Sequence, residues 1–188
     1  QYSGRGSEAD AREARYQVFE QQLRDGEVLF LGHHLDDQVE TFFLRLLRGA
    51  GVQGLAAMPS QRALGRGELR RPLLAFTREQ LLRYTREYGL SCIEDPSNSD
   101  TAMDRNFLRA ELLPLLASRW PGYRRTVARA GEHMSAAAGL MAELLPLPET
   151  VYGAMGDTGV SQQALAGSAG PQLLRAWLQA AGLPAPDQ

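Results

Sequence analysis

Residues 27–49, with the sequence EVLFLGHHLDDQVETFFLRLLRG, decide the fold class predicted for this chain. The short apolar run at 27–32 is typical of a strand that a parallel sheet buries on both faces. After the polar turn that follows, apolar residues recur at helical spacing from Val39 to Leu47, and Gly49 ends the pattern. A buried strand, a polar turn and an amphipathic helix in this order predict an α/β fold.

The segments on either side extend the pattern. Residues 7–24 predict a helix before the strand, and the capping box Thr77-Arg78-Glu79-Gln80 predicts the start of another helix that runs to Gly89. Residues 49–71 are rich in glycine and arginine, which predicts a long loop with Gly65-Arg66-Gly67 as its mobile tip.

The second half of the chain is predicted to be helical from Arg105 onward, with a loop over residues 146–170. The break Trp120-Pro121-Gly122 marks the domain boundary that we expect. It divides the chain into residues 1–121 and residues 122–188, and we expect the second domain to be all-α.

Composition excludes several classes of protein. The chain has 188 residues, 44% of them hydrophobic, and a formal charge of −2, which is typical of a globular domain rather than a disordered one. No apolar run reaches the roughly 18 residues of a membrane helix, and no signal peptide is visible. The single Cys92 excludes a disulfide framework and a cysteine-rich zinc site, so we expect a cytoplasmic protein.

Charge is spread unevenly along the chain. Residues 45–129 carry fifteen arginines against eight acidic residues, a net charge of +7, whereas residues 1–44 and 130–188 carry −5 and −4. A basic middle segment is typical of contact with a polyanion, although solvated helix faces produce the same pattern and are favoured on charge alone. All basic residues are arginine, which excludes a Walker-A or Schiff-base lysine in this chain.

The first candidate site is the junction between the strand and the helix, because ligands collect at the carboxyl ends of strands in α/β sheets. His33, His34, Asp36 and Asp37 lie there, and Glu40 follows close to the same helix face as Asp37. Paired carboxylates can hold a cation, orient an amine or accept a proton. Acidic residues in a first helical turn are also favoured by the helix dipole alone.

The second candidate site lies on the helix that begins near Arg105. Arg105 and Arg109 are four residues apart and share a face, with Asn106 at its edge. Two guanidiniums and an amide suit the recognition of phosphate. Pairing with acidic residues of the preceding loop is the alternative, and the pattern alone favours it.

Two signatures resemble those of the bacterial tRNA(Ile)-lysidine synthetases, which belong to the PP-loop ATP pyrophosphatase superfamily. The first is HHLDDQVET at 33–41 with LLRGAG at 46–51 and GLAAM at 54–58. The second and more specific one is IEDPSN at 93–98 with RNFLR at 105–109. The resemblance implies the C-terminal part of a parallel-sheet PP-loop ATP-binding domain over residues 1–121, followed by an incomplete helical domain.

This resemblance implies a C–N bond-forming ligase that modifies tRNA. Such enzymes use ATP, with Mg²⁺, to adenylate C2 of the wobble cytidine in a CAU-anticodon isoleucine tRNA. The ε-amine of free L-lysine then displaces AMP to give lysidine, so that AMP and diphosphate are released. No membrane is involved, and a homodimer is an open alternative for the quaternary structure.

The resemblance also implies roles for individual residues. Asp37 and Glu40 would hold the lysine, while His34 and Asp36 would line the nucleotide and Mg²⁺ pocket and take part in catalysis. Arg12 would lie near the ATP phosphates. No metal ligands are assigned. The residues expected to face the tRNA or to brace the site are Arg45, Arg48, Arg105, Asn106 and Arg109.

One departure from the family pattern affects the expected activity. The Ser-Gly-Gly-x-Asp-Ser loop that cradles phosphate is absent, since Ser3-Gly4-Arg5-Gly6-Ser7 lacks the aspartate. We therefore expect an internal fragment that has no ligase activity alone and that exposes apolar sheet edges.

Three other functions remain open from the residues. A second kind of PP-loop tRNA-modifying enzyme, a thiolase, is disfavoured by the lone Cys92. A metal-dependent hydrolase would use His33, His34, Asp36 and Asp37, although adjacent residues rarely all point at one ion. An RNA-binding module with a vestigial site is the third.

Overall fold

A computed structural model describes residues 7–93 and 103–183 of the chain. Two compact units divide between His133 and Met134, which is later in the chain than the boundary predicted after Pro121. Of the signature IEDPSN at 93–98, residues 94–98 lie outside the described residues.

The first unit combines helices with a small sheet. Its strands are β1 (Val28–Phe30), β2 (Gln61–Leu64) and β3 (Gly67–Arg70). The helices that lie entirely within the first unit are α1 (Ser7–Gln22), α2 (Leu35–Leu47), α3 (Val52–Leu55), α4 (Arg78–Glu87), α5 (Asp104–Phe107) and α6 (Leu113–Arg119). A π-helical stretch, Leu108–Leu112, connects α5 to α6.

The sheet is mixed, with the order β1-β3-β2. β1 and β3 are parallel, with Leu29 opposite Leu69, whereas β2 and β3 form an antiparallel hairpin. The α/β class is confirmed, but the wholly parallel sheet and the long loop over residues 49–71 are not. The hairpin escaped prediction because its strands are short and β2 buries only Leu64, which leaves almost no alternation to detect.

The turn of this hairpin is packed against the rest of the first unit. Gly65 has a φ of +55°, a left-handed conformation that favours glycine. A Cβ atom at Gly67 would lie 2.5 Å from the carbonyl oxygen of Glu27. The segment predicted to be a mobile loop tip is therefore a close contact between the hairpin and the chain before β1.

We expect Gly67→Ala to lower the free energy of unfolding by about 1–3 kcal/mol, because the added methyl group overlaps a backbone oxygen that cannot rotate away. Gly122→Ala is the matched control, since a Cβ at Gly122 meets no atom within 4 Å, and it should change stability by less than about 0.5 kcal/mol. Urea unfolding of both variants tests this, and equal stabilities would contradict it.

Two apolar clusters hold the elements of the first unit. Leu23, Leu64 and Leu69 pack α1 against the hairpin. Val39, Leu113 and Tyr123 pack α2 against the helices that follow the π-helical stretch. The second cluster matters for function, because it brings the first turns of α2 next to residues 105–124. The helical spacing predicted around Val39 is thereby confirmed.

The capping box predicted at Thr77 is also present. The Gln80 N–H donates to Thr77 Oγ1 over 3.2 Å, and the Thr77 N–H donates to Gln80 Oε1 over 2.8 Å. α4 accordingly begins at Arg78, close to the end of β3.

One edge of β1 is unpaired within the described part of the chain, since β1 has β3 as its neighbour on one side only. Phe30, at the end of this strand, is 64% exposed. The expected exposure of apolar surface at the sheet edge is therefore present among the described residues. The prediction of a strand buried on both faces is wrong, since Val28 and Leu29 are only half-buried and Phe30 is exposed.

The second unit contains strands as well as helices. The helix α7 (Tyr123–Leu144) spans the division between the units, and β4 (Thr150–Tyr152), β5 (Thr158–Val160) and α8 (Gly170–Ala180) follow it. β4 and β5 are antiparallel. Within the described residues, the prediction of an all-α second domain is thus not confirmed, and the loop predicted over 146–170 holds a hairpin. Three-residue strands are too short to show a periodicity.

A polar contact joins the hairpin of the second unit to its last helix. The indole Nε1 of Trp177, a buried residue of α8, donates to Thr150 Oγ1 over 2.9 Å. None of the described helices is both long and apolar enough to cross a membrane.

Candidate active site

The site is built on the first turns of α2, just after the carboxyl end of β1. His34 is the N-cap residue of α2, with extended φ and ψ angles of −123° and −177°. Its Nδ1 accepts the Asp37 N–H over 3.4 Å, and Asp37 Oδ2 accepts the His34 N–H over 2.9 Å. This reciprocal cap ties the orientation of Asp37 to the start of the helix.

Asp36 is held by two partners from distant parts of the chain. Its Oδ2 accepts the backbone N–H of Arg78 over 2.8 Å, and its Oδ1 lies 2.6 Å from Nε of Arg124. Burial by itself raises the pKa of Asp36, but these two hydrogen bonds together with the positive charge of Arg124 outweigh it and leave the pKa below its usual value. Asp36 is therefore ionised at neutral pH and anchors α4 and α7 to α2.

Glu40 is a buried carboxylate in a charge cluster with Asp37, Arg105 and Arg109. The Arg109 Nε and Nη2 atoms donate to the two oxygens of Glu40 over 2.8 and 3.0 Å. Nε of Arg105 lies 3.6 Å from Glu40 Oε2, and Nη2 of Arg109 lies 3.9 Å from Asp37 Oδ1. The side chain of Glu40 is only 1% exposed, so both of its oxygens face protein.

Two opposing effects act on the pKa of Glu40. Burial raises it, and the hydrogen bonds and charge of Arg109 lower it, with burial prevailing. The bidentate guanidinium is the partner that makes an ionised carboxylate tolerable at this depth, because an unpaired buried charge is strongly destabilising.

A second imidazole lies behind this cluster. Nδ1 of His33 is buried and has no hydrogen-bond partner among the described residues. Burial lowers the pKa of His33, and the arginines nearby, Arg71, Arg12 and Arg105, lower it further against the opposing effect of Asp37. His33 is accordingly neutral at physiological pH.

A cleft of about 510 Å³ opens beside Asp36, Arg109 and Arg124. Leu82, Leu113 and Ala117 contribute its apolar surface. A lining that combines charged groups of both signs with apolar side chains suits a small ligand with a charged end and an aliphatic or aromatic body.

The cluster therefore unites the two candidate sites that were separate in the sequence. The first is represented by Asp37 and Glu40 and the second by Arg105 and Arg109. Asn106 is buried beside them. The two arginines face the acidic residues of α2 rather than the acidic residue next to them, Asp104, whose carboxylate pairs with Arg48.

Three other arginines singled out in the sequence have other contacts. Arg45 donates through Nη1 to the carbonyl oxygens of Gly54 and Ala57 over 2.8 and 2.7 Å, which braces the loop after α2. Arg48 pairs with Asp104 over 3.2 Å at the surface. Arg12 is exposed, with its guanidinium 5.6 Å from the ring centroid of Tyr16.

Sequence reasoning missed Arg124 and Tyr123, at the start of α7. Tyr123 is buried in the apolar cluster that contains Val39, and Arg124 reaches Asp36 across 88 positions of sequence. The only local signal was the pair Arg124-Arg125 after the predicted break. That signal does not distinguish a buried partner of α2 from a solvated helix start.

We expect Asp36→Asn to cost about 1–3 kcal/mol of stability at pH 7, because it weakens two hydrogen bonds to a charged acceptor. Folding lowers the pKa of Asp36. The stability that the ionised carboxylate contributes is therefore fully present above the pKa of an unfolded aspartate, about 3.9, and is lost as the pH falls through the lower pKa of the folded protein. Urea unfolding at pH 7 and at a series of values below 5 measures it.

The matched control for this substitution is Asp25→Asn. Asp25 is exposed and lies 3.8 Å from the equally exposed Arg66, so its removal should change little at any pH. A difference between wild type and Asp36→Asn that stays constant with pH would contradict the prediction.

The described part of the site does not offer a set of metal ligands. Within residues 7–93 and 103–183, no group of three or more His, Cys, Asp or Glu side chains is arranged to hold an ion. Asp36, which the resemblance placed at the Mg²⁺ pocket, has both oxygens engaged by Arg78 and Arg124. In this arrangement Asp36 does not fit a Mg²⁺ ligand.

Comparison with known proteins agrees with the two signatures. The chain is 55% identical over 141 residues, 75% of its length, to 33% of a tRNA(Ile)-lysidine synthase from Pseudomonas putida. It is 45% identical over 187 residues, 97% of its length, to 43% of a tRNA(Ile)-lysidine synthase from Methylococcus capsulatus. The chain thus spans less than half the length of either relative.

A family model described as a PP-loop domain matches residues 1–116. The match covers the mixed sheet, α2 and the cluster of Asp37, Glu40, Arg105 and Arg109. More than half of the chain lies within it, and the chain therefore belongs to the PP-loop domain family.

Proposed function

We propose that this chain is the part of a tRNA(Ile)-lysidine synthase that receives free L-lysine and directs its amine to an activated wobble cytidine. The observation that carries the proposal is the buried Glu40 carboxylate, one turn from Asp37, at the carboxyl end of β1. The similarity to proteins named tRNA(Ile)-lysidine synthase supports it.

Two carboxylates on one helix face suit an amine nucleophile. They attract the ammonium form of the lysine side chain, and one of them can accept the proton that the amine must lose before it attacks. The amine nitrogen then bonds to C2 of the cytidine while the bond from C2 to the oxygen of AMP breaks. Asp37 lies at the helix end and is less buried than Glu40, so we assign the proton to Asp37.

The same proposal assigns the nucleotide to the neighbouring groups. ATP is the second substrate, and it activates the cytidine by adenylation with release of diphosphate. The exposed guanidinium of Arg12 suits a phosphate contact. His34 and Asp36 shape the pocket through the cap of α2 and the ion pair with Arg124, and no step is assigned to Mg²⁺.

We propose tRNA as the partner because the middle segment of the chain is strongly basic. Residues 45–129, with a net charge of +7, contain fifteen of the twenty arginines, among them Arg105 and Arg109 beside Glu40. Arg48, 70% exposed, and Arg109 are the ones we expect to meet phosphates directly. Arg45, Arg105 and Asn106 are proposed to support the tRNA-facing surface from within.

The test is incorporation of labelled lysine by the full-length protein into a CAU-anticodon isoleucine tRNA transcript, with and without ATP. An initiator methionine tRNA with the same anticodon is the control for specificity. We expect ATP-dependent incorporation into the isoleucine tRNA alone. Release of AMP without lysine transfer would overturn the ligase and favour another PP-loop modification, such as thiolation.

A further inference from the structure

The charges at the lysine site are already balanced without lysine. Among the described side chains, the carboxylates of Asp37 and Glu40 face the guanidiniums of Arg105 and Arg109. A lysine ammonium that entered this cluster would add a third cation to two anions. Such a cluster at low dielectric repels the added charge unless one of the guanidiniums leaves.

The geometry indicates which guanidinium is in the way. Arg109 covers both oxygens of Glu40 at 2.8 and 3.0 Å, which are the positions that an ammonium would need. Arg105 approaches only one oxygen, at 3.6 Å, and its Nε makes no hydrogen bond to a described residue. Arg109 therefore blocks Glu40, whereas Arg105 is positioned beside it.

Arg109 is also the residue that is placed to move. It lies on the π-helical stretch Leu108–Leu112, a widened helical turn of the kind that often occurs at functional sites. Its side chain is 30% exposed and lines the cleft, so it is already partly accessible to a ligand that enters there. A phosphate in the cleft would replace the carboxylate as its bidentate partner.

We infer that Arg109 exchanges partners during the reaction, leaving Glu40 for a phosphate of the bound tRNA and thereby opening Glu40 to the lysine ammonium. This inference rests on the proposed function. It makes lysine binding dependent on tRNA: without the nucleic acid, Glu40 is closed by Arg109, and with it, the two carboxylates are available. The incoming phosphate and the incoming ammonium also keep the total charge of the cluster unchanged.

The coupling must be reciprocal. If bound tRNA raises the affinity for lysine by some factor, bound lysine raises the affinity for tRNA by the same factor. A salt bridge that served only to stabilise the fold would give no such coupling, because Arg109 would keep Glu40 in every state.

Equilibrium dialysis of radiolabelled L-lysine against the full-length protein, without ATP so that no transfer occurs, tests the exchange. We expect wild type to bind lysine at least about tenfold more tightly when the CAU-anticodon isoleucine tRNA transcript is saturating. Arg109→Gln should bind lysine without tRNA about as tightly as wild type does with tRNA. Arg66→Gln, at an exposed position on the hairpin turn, is the matched control and should behave as wild type.

A second measurement covers the case in which Arg109→Gln does not fold. The affinity of wild type for the tRNA transcript is measured with and without saturating lysine. We expect lysine to raise the tRNA affinity by the same factor by which tRNA raises the lysine affinity in the dialysis. Where the variant does fold, the salt dependence of its tRNA affinity should have a slope smaller by about one phosphate contact.

The outcomes separate this inference from the proposed function. Lysine binding and lysine transfer with no dependence of lysine affinity on tRNA would overturn the exchange and leave the ligase standing. Failure of wild type both to bind lysine in the presence of tRNA and to transfer it with ATP would overturn the proposed function and the exchange together.

Discussion

Replacing Glu40 with alanine should lower the free energy of unfolding by about 3–5 kcal/mol, since breaking a buried ion pair leaves an uncompensated charge. Two guanidiniums, those of Arg105 and Arg109, then face one another without the carboxylate that separates them. Because Glu40 is itself fully buried, truncating its side chain also leaves a cavity. Urea unfolding of the full-length protein at pH 7 measures the effect.

A double variant distinguishes the charge from the packing. Glu40→Met combined with Arg109→Met replaces the ion pair by two apolar side chains, and replacing a buried ion pair by apolar residues is often neutral or stabilising. We expect the double variant to recover most of the stability that Glu40→Ala loses, while it still fails to transfer lysine. A double variant no more stable than Glu40→Ala would show that the ion pair is not the source of the effect.

Asp37→Asn should reduce ATP-dependent lysine transfer by about a hundredfold or more while it leaves the fold intact, because general acid–base groups contribute about 10²–10⁴ in rate. Asparagine keeps an oxygen that can accept the His34 N–H in the cap of α2, so the helix start is preserved. Lysine incorporation under single-turnover conditions measures the change.

The matched control for Asp37 is Asp104→Asn. Asp104 is also ion-paired with an arginine, Arg48, but at the surface, where both side chains are at least 70% exposed. This substitution should alter lysine transfer little once tRNA is saturating. Wild-type rates for Asp37→Asn would remove Asp37 from the proposed chemistry.

Where the sequence failed to predict the fold, short elements were responsible. The hairpin of β2 and β3 has four-residue strands that bury one side chain each, and the hairpin of β4 and β5 has three-residue strands. Neither hairpin has enough alternation of apolar and polar residues to be distinguished from a glycine-rich or polar loop. The longer helices α2 and α4 were predicted because their periodicity and capping residues are local properties.

In the candidate site, too, local features were predictable and long-range contacts were not. The acidic residues of α2 and the spacing of Arg105 and Arg109 were visible in the sequence. The pairing of Arg109 with Glu40 was not, since the two lie 69 positions apart. The alternative that the pattern favoured was pairing of Arg105 or Arg109 with acidic residues of the preceding loop. Of those residues the structure describes Asp104, which pairs with Arg48 instead.

By itself, the sequence determined that a short apolar strand leads into an amphipathic helix with acidic residues in its first turns, and that two arginines follow on one face. These are consequences of residue type and spacing over a few turns. Only the tertiary structure decided that Arg124 holds Asp36, that Arg109 covers Glu40 and that Arg45 braces a loop. Each of these contacts depends on where the backbone returns after a long excursion, and that path is set by the packing of apolar side chains across the whole unit.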